Sequence, residues 1–580
     1  MSDTIVFGAA GFIGRFLVLE LLREGREVVA AVRPGGRDRL TSWLAAQSVD
    51  TTGLTVADAD ITRPGLGLDQ EFEDIRDVYN TAALMKFGLD ADEARRVNVT
   101  AALEVARWAS RRPGLRRLVH ITGYRAAVDG GPKNDYRRGA YEASKMEADA
   151  ALRELADELG IALTIANPAS VLGPGQYFGL SVIADNLWNG RLPALPGRRD
   201  SFVPVVEVDY VAKFLARLPE LPETAGRAYT ILDSATPGLP DLVRLLADHI
   251  HVPAPKFSIP VSVLRALPGA VTGVDPESLA FIAGDRYDTA AADAVARSIG
   301  LEHRPVGDVL RDWADGVVAT RHGAVPERTG GFRDGLWYTG TADDPEYVLL
   351  HGLPLDSDSW AEVATALDAP VLAADLPGLG RSAPDVPDRW LDELLAPMRT
   401  RPVLVGHSLG TGAAIDFALR HPDRISRLVL ISPAFLQERA PWTLRSPLTA
   451  AVLKRLPTPK LAELLGVPDG PAVASAAANL RRPGVARRTV AALTAASTSR
   501  WRTERAEQLA RVRVPVDIVV GSGDPLTVAT ERRVTTIDGA GHYPQVSHPT
   551  LVADLLAGRS AALASQREPA TDRASATPPA

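Results

Sequence analysis

Cysteine is absent from all 580 residues, which removes disulfides, thiolate zinc sites and cysteine nucleophiles from consideration. No metal is expected. Lysine is nearly as sparse, with seven residues against abundant arginine and alanine, so a well-placed lysine is conspicuous. Long apolar runs are also missing. None reaches 18 residues, and no membrane span is expected. The chain lacks a basic excess, with a net charge of −7, which argues against a nucleic-acid partner. The first strand-like run starts at Thr4, leaving no room for a charged leader ahead of it, so the cytoplasm is the expected compartment. What remains is ordinary globular composition, 46% apolar and 23% charged, in a chain too long for one core.

The first organising stretch is Thr4-Ile5-Val6-Phe7-Gly8-Ala9-Ala10-Gly11-Phe12-Ile13-Gly14. Four β-favouring residues lead into three glycines spaced three apart and then into apolar residues at helical spacing. Strand, tight turn and helix start are the parts of a dinucleotide site, in which bare backbone approaches a pyrophosphate at a helix N-terminus. Gly8, Gly11, Phe12, Ile13 and Gly14 are therefore read as cofactor-binding. The second strand ends at Val32-Arg33, where a guanidinium suits a 2′-phosphate better than a bare ribose, and NADPH is the expected cofactor. Asp60 and Ile61 follow the third strand and are placed beside the adenine. Ala82 and Ala83 end the fourth with small residues. Asn98 stands at the head of a helix, Val99–Ala109, and Pro168 and Val171 follow a sixth strand. Tyr141 and Lys145 lie four apart on one helix face after the fifth strand. A cation there is expected to lower the phenol pKa and make it a usable proton donor and acceptor.

This order of motifs resembles the extended short-chain dehydrogenase/reductases over about residues 1–322. The resemblance implies a Rossmann-type doubly wound parallel sheet with a small C-terminal substrate lobe, Tyr141 as acid/base and Lys145 holding the ribose. Leu84-Met85-Lys86-Phe87, Val97-Asn98-Val99 and Arg39-Leu40 look most like thioester and fatty-acyl reductases. Dihydroflavonol-reductase-like and 3β-hydroxysteroid-like ketone reductases share the Val32-Arg33 ending. The family's third catalytic hydroxyl falls one or two places beyond Thr122, where Gly123 and Tyr124 stand, so either Thr122 replaces it as a catalytic residue or the oxyanion-stabilising role is reassigned or weakened.

Polar, glycine-rich residues 323–333 read as a linker. Beyond it, Pro402–Val405 lead into Gly406-His407-Ser408-Leu409-Gly410 and an alanine-rich helix. Gly-x-Ser-x-Gly between strand and helix is a nucleophile elbow. Asp524 ends a later strand and His542 stands in the loop after the next, in the chain order Ser…Asp…His. The second half, residues 334–560, thus resembles the α/β-hydrolases. Ser408 is implied as nucleophile, His542 as base, Asp524 as its orienter, and the backbone N–H groups of Leu353 and Leu409 as the oxyanion hole. His407 is assigned a structural role. Seventeen residues separate Asp524 from His542, so the helix usual between such positions is missing or reduced. Amphipathic segments in about 435–500 suggest a helical cap and an acyl or aromatic substrate. Residues 561–580, rich in Ala, Ser and Pro, read as a disordered tail.

The sequence therefore points to a bifunctional enzyme. NADPH would reduce a carbonyl or acyl thioester in the first half, and Ser408 would hydrolyse an ester or thioester in the second. Two alternatives stay open for the first half: a ketone/aldehyde reductase or epimerase, and a non-catalytic redox-sensing module. Partners are small molecules with acyl or other apolar character, and a homodimer is left open.

Overall fold

The computed structural model describes residues 2–86, 88–127, 135–136, 139–266, 277–559 and 565–566. Phe87 and, except for Ser565 and Gln566, the tail at 561–580 lie outside them. The chain divides into two compact units. One comprises Met1–Asp185, Leu192–Asp248 and Pro253–Val317; the other comprises Asn186–Arg191, His249–Val252 and Val318–Ala580. Among the described residues no helix is long and apolar enough to cross a membrane.

The first unit is built on β1 (Thr4–Phe7), β2 (Val28–Val32), β3 (Leu54–Asp58), β4 (Asp77–Asn80), β5 (Arg117–Ile121), β6 (Leu163–Pro168) and β7 (Ala228–Ile231). They form one parallel sheet in the order β7-β6-β5-β4-β1-β2-β3. Thr4 pairs with both Val28 and Asp77, so the order reverses at β1. That switch point is where a doubly wound sheet opens a crevice at its strand C-termini. Apolar clusters cover both faces, which explains why β1 and β2 are apolar throughout rather than alternating. Helix α1 (Phe12–Arg23) packs Leu17, Val18 and Leu21 on one face, and α2 (Ala140–Leu159) follows β5.

Asn98 does not head a helix. A continuous helical run spans Ala91 to Ser110, and Asn98 sits inside its π-helical turn, Arg95–Thr100. The sequence shows only helical periodicity there, which does not distinguish a widened turn.

The second unit contains β8 (Gly330–Arg333), β9 (Leu336–Gly340), β10 (Tyr347–Leu350), β11 (Val371–Ala374), β12 (Val403–His407), β13 (Arg427–Ile431), β14 (Val516–Gly521), β15 (Arg533–Ile537) and β16 (Ser565–Gln566). Their order is β8-β9-β11-β10-β12-β13-β14-β15-β16, parallel from β11 to β15 and antiparallel at both edges. The expected linker at 323–333 is thus partly wrong, because Gly330–Arg333 is an edge strand. Phe332 anchors it, with its ring 5.0 Å from Trp337, while Trp188, His249 and His251 close around the same ring. These contacts explain why two short excursions from the first half belong to the second unit. Gly330 is required by proximity, since a Cβ there would lie 2.8 Å from the Tyr338 carbonyl.

Five helices stand between β13 and β14: Pro447–Arg455, Thr458–Leu465, Pro471–Arg481, Val485–Ala496 and Ser499–Arg511. Their apolar cluster includes Leu355 and Tyr543. No helix forms between Gly521 and Arg533.

Candidate active sites

The glycine turn is closed by backbone. Gly8 has φ +80°, and a Cβ on it would lie 2.7 Å from Ala82 N, so β4 passes too close for any side chain. Gly11 N–H donates to the Gly8 carbonyl at 2.8 Å, and a Cβ on Gly14 would strike that same carbonyl. Gly11 caps α1, whose first turn carries no acidic residue. A bare cradle at a helix N-terminus with no competing carboxylate fits a pyrophosphate. Phe12 and Ile13 are half-buried at the helix start, and Ala82 and Ala83 are half-buried beyond β4. Arg33 is exposed at the end of β2. Asp60 is engaged locally instead, accepting from Thr62 N–H at 3.0 Å and Thr62 Oγ1 at 2.6 Å, which lowers its pKa. Ile61, Pro168 and Val171 are buried.

Tyr141 and Lys145 occupy the first turns of α2. Lys145 Nζ donates to the Ile121 carbonyl at 3.1 Å, and burial pushes its pKa down to about 8. The expected drop at Tyr141 is not found. Burial first, and then the Glu277 and Glu142 carboxylates, push the phenol up to about 12. Thr122 is buried and its hydroxyl donates to the Asn167 side chain on β6. A Cβ at Gly123 would meet nothing within 4 Å. Tyr124, in the next place, packs edge-on against Tyr287 at 4.9 Å.

Asn98 is buried with its amide already occupied. It donates to Ser144 Oγ at 2.9 Å and the Leu84 carbonyl at 3.3 Å, and accepts from Leu84 N–H at 2.8 Å. It therefore ties Leu84 to α2. Glu277 does the same for Gly88 from another side and was missed from sequence. Its buried carboxylate accepts from Tyr141 N–H at 2.9 Å and Gly88 N–H at 3.0 Å. It caps α2 and fixes the loop opposite Tyr141. No local signal marks it, because the capping carboxylate lies 136 positions away.

In the second unit, Ser408 has φ +50°, a strained conformation for a side chain with a Cβ. The glycines around it are there for space. A Cβ on Gly406 would lie 2.8 Å from Thr411 Cα, and one on Gly410 would lie 2.6 Å from the His351 carbonyl. Ser408 Oγ lies 2.9 Å from His542 Nε2, and His542 Nδ1 lies 2.5 Å from Asp524 Oδ2. These three residues follow β12, β14 and β15, so parallel strand ends bring them together. His407 points elsewhere. It is fully buried, its pKa is lowered by burial, and its Nε2 bonds the His542 carbonyl at 2.8 Å. Tyr543 donates from its hydroxyl to the Leu353 carbonyl at 2.9 Å, and Leu353 precedes a cis proline. Leu409 is the N-cap of the helix Gly410–Arg420. Gln437 was not foreseen. Its Nε2 donates to Asp524 Oδ2 at 2.5 Å and to the Asp524 carbonyl at 2.9 Å. Its position just past β13, on the same sheet edge as the other strand ends, was the available signal.

Two separate chemistries are therefore laid out, and comparison with known proteins gives each a family. Residues 347–555 match the family model described as alpha/beta hydrolase family, and residues 6–215 match the NAD-binding one described as male sterility protein. The pimeloyl-[acyl-carrier protein] methyl ester esterase of Aromatoleum aromaticum is 32% identical over 254 residues, covering 37% of this chain and 99% of that one. An NRPS-like oxidoreductase of Fusarium equiseti is 27% identical over 203 residues, 32% of this chain and only 20% of that longer protein. Tetraketide alpha-pyrone reductase 1 of Arabidopsis thaliana is 26% identical over 276 residues, 43% of this chain and 82% of that one. A solved terminal R domain from the myxalamid PKS-NRPS biosynthetic pathway has a TM-score of 0.47 at 20% identity, covering 56% of this chain and 93% of that chain. The chain is an oxidoreductase of the nicotinamide-dependent kind fused to a hydrolase. It belongs to the alpha/beta hydrolase family through its second unit, and its first unit is similar to NAD-binding reductases.

Proposed function

We propose that the first unit reduces an acyl thioester or related carbonyl with NADPH, and that the second hydrolyses an ester or thioester through Ser408. The reductase lies within about 1–322 and the hydrolase within about 334–560. The observation that carries the reading is the pairing of two arrangements: a bare glycine cradle and the Lys145 amine at strand C-termini of one parallel sheet, and a hydrogen-bonded Ser408–His542–Asp524 chain.

When bound, the nicotinamide supplies the hydride. The Gly8–Gly14 turn and the α1 N-terminus would hold the pyrophosphate, and the Arg33 guanidinium would suit the 2′-phosphate that distinguishes NADPH. With a pKa pushed up to about 12, Tyr141 is protonated at neutral pH and donates its proton to the carbonyl oxygen as charge builds there. Lys145, near 8, keeps most of its charge at pH 7 and holds the ribose hydroxyls. Thr122 braces the end of β5 against β6 through its hydrogen bond to Asn167.

In the hydrolase, Ser408 Oγ attacks the carbonyl carbon while His542 Nε2 takes its proton. Asp524 stabilises the imidazolium, and the N–H groups of Leu353 and Leu409 receive the oxyanion. His542 then protonates the departing alcohol or thiol. Water, activated by the same imidazole, cleaves acyl-Ser408 to the free acid.

The test is to supply NADPH with a panel of acyl thioesters to wild type, Tyr141→Phe and Ser408→Ala, following nicotinamide absorbance and products by mass spectrometry. Tyr141→Phe should lose NADPH consumption by at least about 100-fold while still releasing free acid. Ser408→Ala should behave in the opposite way. Intact NADPH turnover in Tyr141→Phe overturns the reductase assignment, and free acid from Ser408→Ala overturns the hydrolase one. Ketone reduction by the same residues is the second reading, favoured by the coverage of the Arabidopsis thaliana reductase. It would give secondary alcohols from ketones. Net NADPH loss separates either reading from epimerisation, which returns its hydride.

A further inference from the structure

The cap of the second unit carries a face that holds no residue of either candidate site. Trp442, Leu448, Val452 and Leu464 project into water at 76, 77, 57 and 54% exposure and flank an open groove of about 820 Å³. The helix Pro447–Arg455 explains how they come to be there. Its Ala450 is buried in the cap's own core with Leu461 and Ala462, yet Leu448 and Val452, one turn apart, face outward. The helix is therefore apolar on two sides, and only one is packed. Contiguous exposed apolar surface of this kind marks an interaction site.

The charge around it narrows the partner. From Pro441 to Leu465, the stretch that lines the groove, the sequence has four arginines and lysines against one carboxylate, although the whole chain is −7. Lys454, Arg455 and Lys460 are exposed beside the groove, and Lys460 also pairs with Glu463 at 2.7 Å. We propose that this face docks on an anionic lipid bilayer, with Trp442, Leu448, Val452 and Leu464 entering the acyl boundary and the cap's cations facing the headgroups. Large exposed apolar side chains with exposed cations on the same helix suit the fluid boundary between acyl chains and headgroups. Tryptophan and long cationic side chains together are the usual occupants of that interface. The contact is peripheral, because no described helix could cross the bilayer.

The test is sedimentation of the full chain with phosphatidylcholine vesicles and with vesicles containing phosphatidylglycerol, at low and high salt. Partition should be at least tenfold stronger onto the anionic vesicles and should weaken as salt rises. Trp442→Ser combined with Leu448→Ser should lower it at least tenfold while hydrolysis of a short soluble ester is unchanged. Lys454→Glu with Arg455→Glu should weaken it through charge alone. Absent binding, equal binding to both vesicle types, or binding unaltered in both variants overturns the proposal. So does capture of an acidic protein by this face without any vesicle binding.

Discussion

Asp524 Oδ2 receives two N–H groups, one from His542 and one from Gln437, and the second fixes which way the carboxylate faces. Gln437→Leu removes a hydrogen bond to a charged acceptor, worth roughly 1.5–3 kcal/mol. Ester hydrolysis should fall about 10- to 100-fold in kcat/KM with the fold intact, as measured on a soluble ester. Glu277 plays the matching part in the reductase, but by charge as well as geometry. Its carboxylate favours the neutral phenol, so Glu277→Gln should lower the Tyr141 pKa. Lys145, near 8, loses its charge first and sets the alkaline limb of any pH–rate profile, so the drop is read instead as tyrosinate absorbance appearing at lower pH in an ultraviolet titration. An unmoved titration would assign Glu277 to capping alone. Ser408, Asp524, His542, Tyr141 and Lys145 were legible because each sits in a local pattern with its own chemistry. Gln437, Glu277 and the true partners of Asn98 were not, because their roles depend on residues 14 to 136 positions away.

Among the elements, the strand–turn–helix units were readable because their glycines are forced by close backbone approach, as at Gly8 and Gly406. The strand Gly330–Arg333 was not, because two glycines read as linker until Phe332 finds its ring partners. The loop after β10 is held by charges that no motif announces. Asp358 accepts from Arg381 at 2.7 Å and from Ser475 at 2.7 Å, while Asp356 accepts from Asn479 at 2.7 Å, which ties the loop to the cap helix Pro471–Arg481. Burial, followed by the neighbouring Asp358 charge, raises Asp356 to about 6. An unfolded aspartate titrates near 3.9, so between about pH 4 and 6 the native state holds the extra proton. Stability from this group is full below pH 4 and is lost as pH rises through about 6. Asp356→Asn should therefore gain stability relative to wild type as pH climbs from 4 to 7, read as urea midpoints across that range. A constant difference would show that Asp356 does not titrate in that window.

At the scale of the molecule, five apolar clusters of described residues each draw on one unit, two in the first around the seven-stranded sheet and three in the second around the nine-stranded sheet and the cap. A core of its own in each unit predicts a cooperative transition for each. On the proposed function NADPH binds the native first unit and not the unfolded chain, so at 100 times its Kd it should stabilise that unit by about 2.7 kcal/mol. Calorimetry should accordingly show two transitions, of which NADPH raises one. Gly14→Ala places a methyl against the Gly8 carbonyl and should abolish that rise while leaving the other transition and Ser408-dependent hydrolysis in place. A single transition shifted as a whole by NADPH would mean that the two units unfold as one. The redox-sensing alternative would then gain ground, because cofactor occupancy could reach Ser408 through shared stability.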